Sequence, residues 1–241
     1  MKATRQEKIL TLLKDTEYMT VEALSQALFF SQPTVRRDLA ELERRGLILR
    51  SRGGAALRDP LHSAVAFDLR NTLQSKEKSA LAARAAALIE DGDVIFLDAS
   101  TTVLHMLKYL HEKQNISVVT NSIQIPMLLR SAGIPVYSTG GRLIGKSLAY
   151  GGSTAEQMLH IFHIDKFFFS SYALTLQGDI LDYSEEETSL RQKLLAQAHT
   201  SVFLCDSTKI GRNSLFHLTN IKHVDHVITD GDMHILKNGK D

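Results

Sequence analysis

The sequence contains a single cysteine, Cys205, in a chain of 241 residues. One cysteine excludes both an intramolecular disulfide framework and a CxxC metal site, and a buried apolar role is the simplest expectation for it. Long hydrophobic runs are lacking too, since none approaches the roughly 20 residues that span a bilayer. The polar N-terminus has no apolar region of the kind that signal peptides carry. We therefore expect a cytoplasmic protein that does not interact with a membrane.

Patterns typical of metal sites are also lacking. The ten histidines include no HExxH spacing. The pair His160 and His163 is better explained by surface or packing roles than by metal binding. We expect neither a metal nor a cofactor.

Neither sign of charge dominates, because the formal net charge is only +1. The charges are nonetheless unevenly distributed: residues 1–58 carry 11 lysines and arginines against 7 acidic residues, and the remainder carries 17 against 20. A small basic segment joined to a larger, slightly acidic one favours nucleic-acid binding at the N-terminal end only.

Three short helices are predicted near the N-terminus. Apolar positions over 4–14 define the first, and Thr20 is placed to cap the second. Ser31 is placed to cap the third, which extends to about Arg45 with Gly46 after it. The buried stripe of this third helix, at i, i+4 and i+7, consists of Val35, Leu39 and Leu42. The polar residues near its start are left on the exposed face.

A hairpin with a basic tip follows the third helix. Residues 47–50 predict a strand, 51–54 a turn and 55–57 the returning strand. Helix, turn, helix and basic hairpin are typical of a winged helix-turn-helix, although plain packing domains also contain three helices. Arginines stand where such a domain reads the major groove and where its wing contacts phosphate. The residues predicted to contact double-stranded operator DNA are Ser31, Gln32, Thr34, Arg36, Arg37, Arg50 and Arg52.

The pattern changes after an irregular stretch at 58–74, which we interpret as a linker with an optional short strand at 65–69. From residue 75, apolar strands alternate with helical segments, which is typical of an open, mainly parallel α/β sheet covered by helices on both faces. Strands are predicted at 94–97, 116–119, 135–137, 167–169, 202–205 and 226–228. Helices are predicted at 76–90, 102–111, 122–131, 154–162 and 186–198.

Small polar residues follow several of these strands, at the end where open α/β sheets bind ligands. Their hydroxyls, backbone N–H groups, one arginine and one lysine suit a phosphate attached to a polyhydroxylated body. Each cluster alone is explained equally well as a helix cap or a turn. Their recurrence at one edge of the sheet favours a binding site. The clusters lie at 98–102, 120–122, 138–142 and 206–211.

Two motif runs near the N-terminus are specific: Ser31-Gln-Pro-Thr-Val-Arg-Arg-Asp-Leu-Ala-Glu-Leu-Glu-Arg-Arg-Gly46, followed by Arg52-Gly-Gly-Ala55. They resemble the DeoR family of transcriptional regulators. The resemblance continues through Asp98-Ala-Ser-Thr-Thr102, Thr120-Asn-Ser122, Gly140-Gly141, Asp206-Ser-Thr-Lys209 and Ile228-Thr-Asp230, and thus covers nearly the whole chain. It implies a winged helix-turn-helix at 1–57 and, at 75–241, a sensor and oligomerisation domain similar in fold to ribose phosphate isomerases.

The resemblance implies a repressor of a sugar-utilisation operon whose operator binding responds to a phosphorylated sugar. The first sensor loop and Lys209 would hold the sugar phosphate, while Asp98 and Asp206 would order the loops or accept sugar hydroxyls. Glu187 lies in an acidic run that also suits the start of a helix. The predicted ligand-binding residues are Asp98, Ser100, Thr101, Thr102, Asn121, Ser122, Gly141, Arg142, Gly152, Tyr172, Glu187, Asp206 and Lys209.

The sequence departs from the family pattern at two places in the predicted ligand-binding loops. Ser100 stands where the family commonly has glycine in D-x-G-T-T, and serine narrows the accessible backbone conformations. Residues 170–172 read Ser-Ser-Tyr where the family often has a Gly-Ala turn. Tyr172 is therefore predicted to line the pocket and to influence which sugar fits.

Two alternatives to a repressor are an enzyme and a DNA-binding protein that is regulated in another way. A sugar-phosphate isomerase would need a general acid and base, yet the segment corresponding to the isomerases' paired carboxylates, 170–178, contains no carboxylate. A transcriptional activator, or a DNA-binding protein controlled by a partner protein, remains open. We expect a symmetric homo-oligomer, dimer or tetramer, that presents paired helices to a pseudo-palindromic operator.

Overall fold

The computed structural model describes residues 2–14, 19–51, 54–57, 67–72, 74–145 and 147–232. The chain divides into two compact units, Met1–Ala66 and Phe67–Asp241. Each unit has its own buried side chains.

The described part of the first unit contains the three predicted helices and the predicted hairpin. The helices are α1 (Lys2–Lys14), α2 (Val21–Leu28) and α3 (Gln32–Arg44). The strands are β1 (Met19–Thr20), β2 (Ile48–Ser51) and β3 (Gly54–Leu57). β3 lies between β1 and β2 and is antiparallel to both. The sequence analysis did not predict β1, which is only two residues long.

All three predicted cap residues stand at the helix ends where they were predicted, but only Thr20 among the two N-caps accepts a backbone N–H through its side chain. The Thr20 hydroxyl accepts a hydrogen bond from the Ala23 N–H at 3.0 Å. Gly46 follows α3 with a left-handed φ of +70°, the conformation that favours glycine after a helix. Ser31 occupies the N-cap position of α3, but its hydroxyl pairs with the Thr34 hydroxyl at 3.0 Å instead of with a backbone N–H.

The core of the first unit is built on α3. Val35, Leu39 and Leu42 are fully buried, as their spacing predicted. Asp38 is buried beside them, and Arg5 from α1 holds it through two hydrogen bonds, one of them from Nη2 to Oδ1 at 3.0 Å. A buried carboxylate needs such a partner.

The second unit is built around a parallel sheet with the six predicted strands. In chain order, the described strands of this unit are β4 (Val94–Leu97), β5 (Ser117–Thr120), β6 (Val136–Ser138), β7 (Arg142–Ile144), β8 (Ala149–Gly151), β9 (Lys166–Phe169), β10 (Ala173–Leu174), β11 (Asp179–Asp182), β12 (Thr200–Cys205), β13 (Phe216–Asn220) and β14 (His226–Thr229). The main sheet has the order β14-β12-β9-β4-β5-β6, and all its neighbours are parallel. The carboxyl ends of these strands therefore share one edge.

Helices connect the strands, largely where the sequence predicts them. The described α-helices of this unit are α4 (Phe67–Thr72), α5 (Ser75–Ala86), α6 (Thr101–Leu104), α7 (Gln124–Leu129), α8 (Ser153–Met158) and α9 (Glu185–Gln197). The 3-10 segments His105–Glu112 and Leu159–Ile161 extend α6 and α8. The strand considered at 65–69 is wrong over its described part, because residues 67–72 form α4.

Two antiparallel additions in the described chain were not predicted. β7 and β8 form a hairpin, and β11 pairs with both β10 and β13. These strands are short and mixed in polarity, so they lack the apolar runs that identify the main sheet.

Side chains of the main sheet alternate between two cores. Phe168 packs on one face with α5, α6 and α7, whereas Phe167 and Phe169 stack on the other face against α8 and α9. Cys205 belongs to the second core, as expected for a lone buried cysteine, and burial raises the pKa of its thiol to about 12. Helices cover both faces, so the polar residues of this sheet are concentrated in the loops at the strand ends.

Candidate functional site

Loops that follow four neighbouring strands lie side by side at the carboxyl edge of the main sheet. The strands β12, β9, β4 and β5 are consecutive in the sheet and parallel. Their loops are 206–209, 170–172, 98–102 and 121–123. The predicted residue clusters after these strands are therefore close to one another.

Lys209 connects three of these loops. Its ammonium donates a hydrogen bond to the Ser170 hydroxyl at 2.7 Å and another, at 3.4 Å, to the Thr102 hydroxyl. It also lies 3.5 Å from a carboxylate oxygen of Asp206. The Lys209 side chain is 16% exposed, so most of it is removed from water.

Lys78 brings a second ammonium group to the same loop, and the sequence analysis missed it. It lies on α5, is only 4% exposed, and donates to the Thr101 hydroxyl at 3.1 Å and to the Arg70 carbonyl. The signal was present: Lys78 occupies the apolar stripe of α5 together with Leu81 and Ala82, at i, i+3 and i+4. A lysine in a buried stripe is unusual unless it has partners.

Asp206 is the counter-charge of this lysine pair. Burial alone would raise the pKa of Asp206, but the Lys209 ammonium, the Thr208 hydroxyl and the charge of Lys78 together lower it below its usual value. Asp206 therefore stays ionised and fixes Lys209 in place.

Asp98 orders loops, which is one of the two roles predicted for it. One oxygen accepts the Ser100 N–H at 2.9 Å. The other accepts the Ser170 N–H at 3.2 Å and Nε of Arg191 at 2.9 Å. Asp98 is 1% exposed. Its oxygens are thus engaged by the protein itself.

Ser100 fits the first loop without the conformational freedom of glycine. Its φ of −73° and ψ of 146° are ordinary extended values. Its hydroxyl accepts the Val103 N–H at 3.3 Å and caps α6. The expected narrowing of backbone conformations therefore has no consequence here, and the neighbouring Thr101 and Thr102 point their hydroxyls at the two lysines.

Asn121 and Ser122 support the site from β5. The Asn121 side chain accepts the Ala99 N–H at 3.1 Å and donates to the Tyr150 carbonyl at 3.1 Å. The Ser122 hydroxyl accepts the Gln124 N–H at 3.1 Å at the start of α7. Both residues hold loops together in this structure.

Three further predicted residues lie in or next to the β7–β8 hairpin. Gly141 has a φ of +106°, and a Cβ at this position would lie 2.8 Å from the Gly151 carbonyl oxygen, so only glycine fits. Arg142 is two-thirds exposed and forms an ion pair with Glu186 on α9. Gly152, with a φ of +83°, precedes α8.

A buried ionic cluster lies behind the first loop. Arg191 on α9 binds Asp98, the Asp182 carboxylate at 2.9 Å and the Glu187 carboxylate at 3.1 Å. All four residues are at most 5% exposed. Burial raises the pKa of Glu187, although the Arg191 charge opposes this. Glu187 is therefore part of the support of the loop, a role that its sequence position alone did not indicate.

The Glu187→Gln variant is expected to become more stable relative to the wild type as the pH rises, as measured by the free energy of unfolding. Glutamine keeps an oxygen that accepts from Arg191 but carries no charge. Since the folded-state pKa of Glu187 lies above its ordinary 4.5, the contribution of the wild-type residue is present at low pH and is lost as the pH rises through the folded value. Urea unfolding between about pH 5 and pH 8 measures the difference.

Glu185→Gln, at an exposed position of the same helix, is the matched control for this experiment. A difference between Glu187→Gln and wild type that stays constant with pH, or that falls as the pH rises, would contradict the expectation.

Tyr172 lies on the loop after β9, as predicted. Its ring meets the Tyr183 ring edge to face, with 5.4 Å between centroids. Burial raises the pKa of Tyr183, which keeps that hydroxyl neutral. The two tyrosines thus add aromatic surface next to the polar loops.

The predicted DNA-contacting residues of the first unit lie mainly at the surface. Gln32, Arg36 and Arg37 are exposed on α3. Thr34 is half-buried and pairs with Ser31. On the wing, Arg50 is exposed and its guanidinium lies 3.4 Å from Glu43. Arg52 lies outside the described residues.

No helix within the described ranges combines the length and the apolar character needed to cross a membrane. Nor do the described residues bring together three or more His, Cys, Asp or Glu side chains in an arrangement that could hold a metal ion.

Two family models match the chain. The model described as the DeoR-like helix-turn-helix domain matches residues 5–60. The model described as the DeoR C terminal sensor domain matches residues 73–231. Together they account for both units.

Similar proteins match this chain over most of the length of both sequences. The chain is 33% identical to YulB of Bacillus subtilis, an uncharacterised HTH-type transcriptional regulator, over 96% of this chain and 90% of that protein. It is 34% identical to the HTH-type transcriptional repressor GlcR of the same organism, over 92% and 86%. It is 35% identical to the L-fucose operon activator of Escherichia coli, over 95% and 96%.

Solved structures resemble this chain in fold alone. The beta subunit of eIF2B from Chaetomium thermophilum has a TM-score of 0.51 and 17% identity, covering 68% of this chain and 52% of that one. A D-ribose-5-phosphate isomerase in complex with phospho-erythronic acid has a TM-score of 0.43 and 20% identity, covering 56% and 54%.

Proposed function

The chain belongs to the DeoR family of DNA-binding transcriptional regulators, and on this premise we propose that it represses a sugar-utilisation operon until a phosphorylated sugar binds its sensor domain. Such a regulator acts on chromosomal DNA and therefore works in the cytoplasm. One observation supports a sugar phosphate as the ligand. Lys78 and Lys209, from two different elements, converge on the neighbouring hydroxyls of Thr101 and Thr102.

Two ammonium groups next to a row of hydroxyls suit a phosphate dianion. Charge-assisted hydrogen bonds to a phosphate are roughly twice as strong as neutral ones. Lys209 has only one carboxylate, Asp206, within ion-pair distance among the described residues, and its remaining donors point at hydroxyls that a phosphate can replace. Tyr172 lies on the loop after β9 and Arg142 begins β7, and the sugar body would be held beside these two residues.

The first unit supports operator binding through the exposed start of α3. Gln32, Arg36 and Arg37 would contact base edges and phosphates, and Arg50 would contact the backbone from the wing. A symmetric dimer or tetramer would present two such helices to a pseudo-palindromic site. The effect of the ligand on DNA affinity cannot exceed its differential affinity for the two conformations of the protein.

Activation is a second candidate, because the L-fucose operon activator is 35% identical to this chain over nearly the full length of both proteins. Deleting the gene distinguishes repression from activation: expression of the target operon rises if the protein is a repressor and falls if it is an activator.

A thermal-shift screen against sugar phosphates and their unphosphorylated parents tests the proposed ligand. One sugar phosphate is expected to raise the unfolding temperature of the sensor domain while its parent sugar does not. A ligand that binds only the folded state adds about 2.7 kcal/mol of stability at a hundred times its dissociation constant. Equal shifts with phosphate and parent, or no shift across a broad panel, would contradict the sugar-phosphate assignment.

The same panel tests the isomerase alternative. We expect no turnover of pentose or hexose phosphates, since the segment 170–178 supplies no carboxylate for proton transfer. Turnover that disappears in Glu187→Gln would show that the protein is an enzyme.

A further inference from the structure

Phe29, in the turn between α2 and α3, breaks two local rules at once. Its backbone is left-handed, with φ 58° and ψ 39°, a conformation that is unfavourable for residues with a bulky side chain. Its side chain is also 93% exposed, although phenylalanine is usually buried. Residues that break local rules in an otherwise regular fold tend to lie at functional sites.

The turn holds Phe29 in a fixed position. The Phe29 N–H donates to the Gln26 carbonyl at 3.3 Å, and the Phe30 N–H donates to the Ser25 carbonyl at 3.2 Å. The Ser25 hydroxyl donates back to the Phe30 carbonyl. The Phe30 ring is held from the other side by the Arg5 guanidinium, 4.7 Å from its centroid. The Phe29 ring is thus presented by a backbone that is anchored on both sides.

The position of this ring adjoins the surface that faces DNA. Phe29 lies two residues before Ser31 and three before Gln32, at the start of the helix that carries Arg36 and Arg37. In a helix-turn-helix the start of this helix enters the major groove, while the helix before the turn crosses the DNA backbone. The turn that carries Phe29 joins these two DNA-facing elements. Phenylalanine contacts thymine methyl groups in such interfaces. The arginines supply the charge complementarity that brings a nucleic acid, rather than an apolar protein surface, to this ring.

We propose that Phe29 packs its ring against deoxyribose and thymine-methyl carbons of the operator, and that it thereby adds an apolar contact beside the helix that reads the bases. This inference rests on the DNA-binding function of the chain. With this contact, the protein should prefer thymine at the flank of each half-site. The contribution of Phe29 to DNA affinity should not depend on the salt concentration.

The test measures binding of the full-length protein to a DNA duplex selected by the wild type from a randomised pool. Phe29→Ala and Phe29→Gly are expected to bind about tenfold more weakly, the factor that corresponds to losing much of the burial of a phenyl ring. The loss should be the same at every salt concentration, because no charge is removed. Arg37→Ala should instead reduce the slope of log affinity against log salt by about 0.9. Phe29→Tyr, which keeps the ring, should bind like the wild type.

Phe29→Gly separates a DNA contact from a merely structural role. Glycine relieves the left-handed strain, so amide exchange over 21–44 is expected to be no faster than in the wild type while DNA affinity falls. Leu215→Ala, which removes a 63% exposed apolar side chain from the second unit, is the matched control and should leave affinity unchanged.

Several results would overturn the proposal. They are unchanged affinity in Phe29→Gly, an equal loss in Leu215→Ala, and faster amide exchange that accompanies the loss of affinity. A change of oligomeric state in sedimentation would also overturn it, since a second copy would then cover the ring. Failure of the wild type to select any duplex would instead contradict DNA binding itself.

Discussion

Arg191→Met is expected to lower the free energy of unfolding of the sensor domain by about 3–5 kcal/mol. Methionine approximates the length of the side chain but leaves Asp98, Asp182 and Glu187 without their shared cation in a dry environment. Breaking a buried ion pair by removing one partner is costly because the remaining charges stay desolvated. The expected loss is a large fraction of the 5–15 kcal/mol by which domains are usually stable.

Hydrogen exchange of the full-length protein measures this effect within the correct unit. Peptides from β4, β11 and α9 should lose protection together, because Arg191 joins the carboxylates at the ends of these elements. Lys193→Met is the matched control: it lies on the same helix, its side chain is half-exposed, and it pairs with Glu156, whose side chain is 14% exposed. Solvent screens a pair with a half-exposed partner, so its loss is expected to cost only about 1 kcal/mol. Similar losses in both variants would contradict the role of the cluster.

Lys209→Ala is expected to weaken binding of the sugar phosphate by roughly 30- to 100-fold. The substitution removes the charged donor that lies between Ser170 and Thr102 while leaving the strands unchanged. Calorimetric titration with the sugar phosphate identified in the thermal-shift screen measures the change. DNA affinity in the absence of ligand should stay near the wild-type value, because the helix-turn-helix lies in the other unit.

Lys222→Ala is the control for this substitution, since it removes an exposed lysine from the same unit. Undiminished ligand affinity in Lys209→Ala would exclude Lys209 from the phosphate site. An equal loss in Lys222→Ala would indicate that net charge, and not a specific contact, attracts the ligand.

The main sheet was predictable from sequence because its strands are continuous apolar runs. A strand buried on both faces, such as Phe167–Phe169, needs no alternation and is recognised by its composition. The position of the polar loops followed from the same observation, since parallel strands end at one edge. The short strands β1 and β10 contain two residues each and carry no periodic signal.

Long-range partners explain why other features of the site were missed. Arg191 binds Asp98 across 93 residues of sequence, and no local pattern marks such a pair. Lys78 was more accessible to prediction, because a lysine in the apolar stripe of α5 contradicts the periodicity around it. Ser100 illustrates the opposite case: this departure from the family pattern has ordinary backbone angles, so it places no strain on the loop.

The two lysines of the site also differ in when they become available during synthesis. Lys78 and Thr101 are 23 residues apart, whereas Lys209 and Thr102 are separated by 107. A chain emerging from the ribosome therefore carries one half of the anion site long before the other, and contacts between distant segments form late. The complete site exists only once almost the whole sensor domain has been translated and folded. If the proposed ligand is correct, a sugar phosphate stabilises only the completed sensor domain and gives no support to nascent chains.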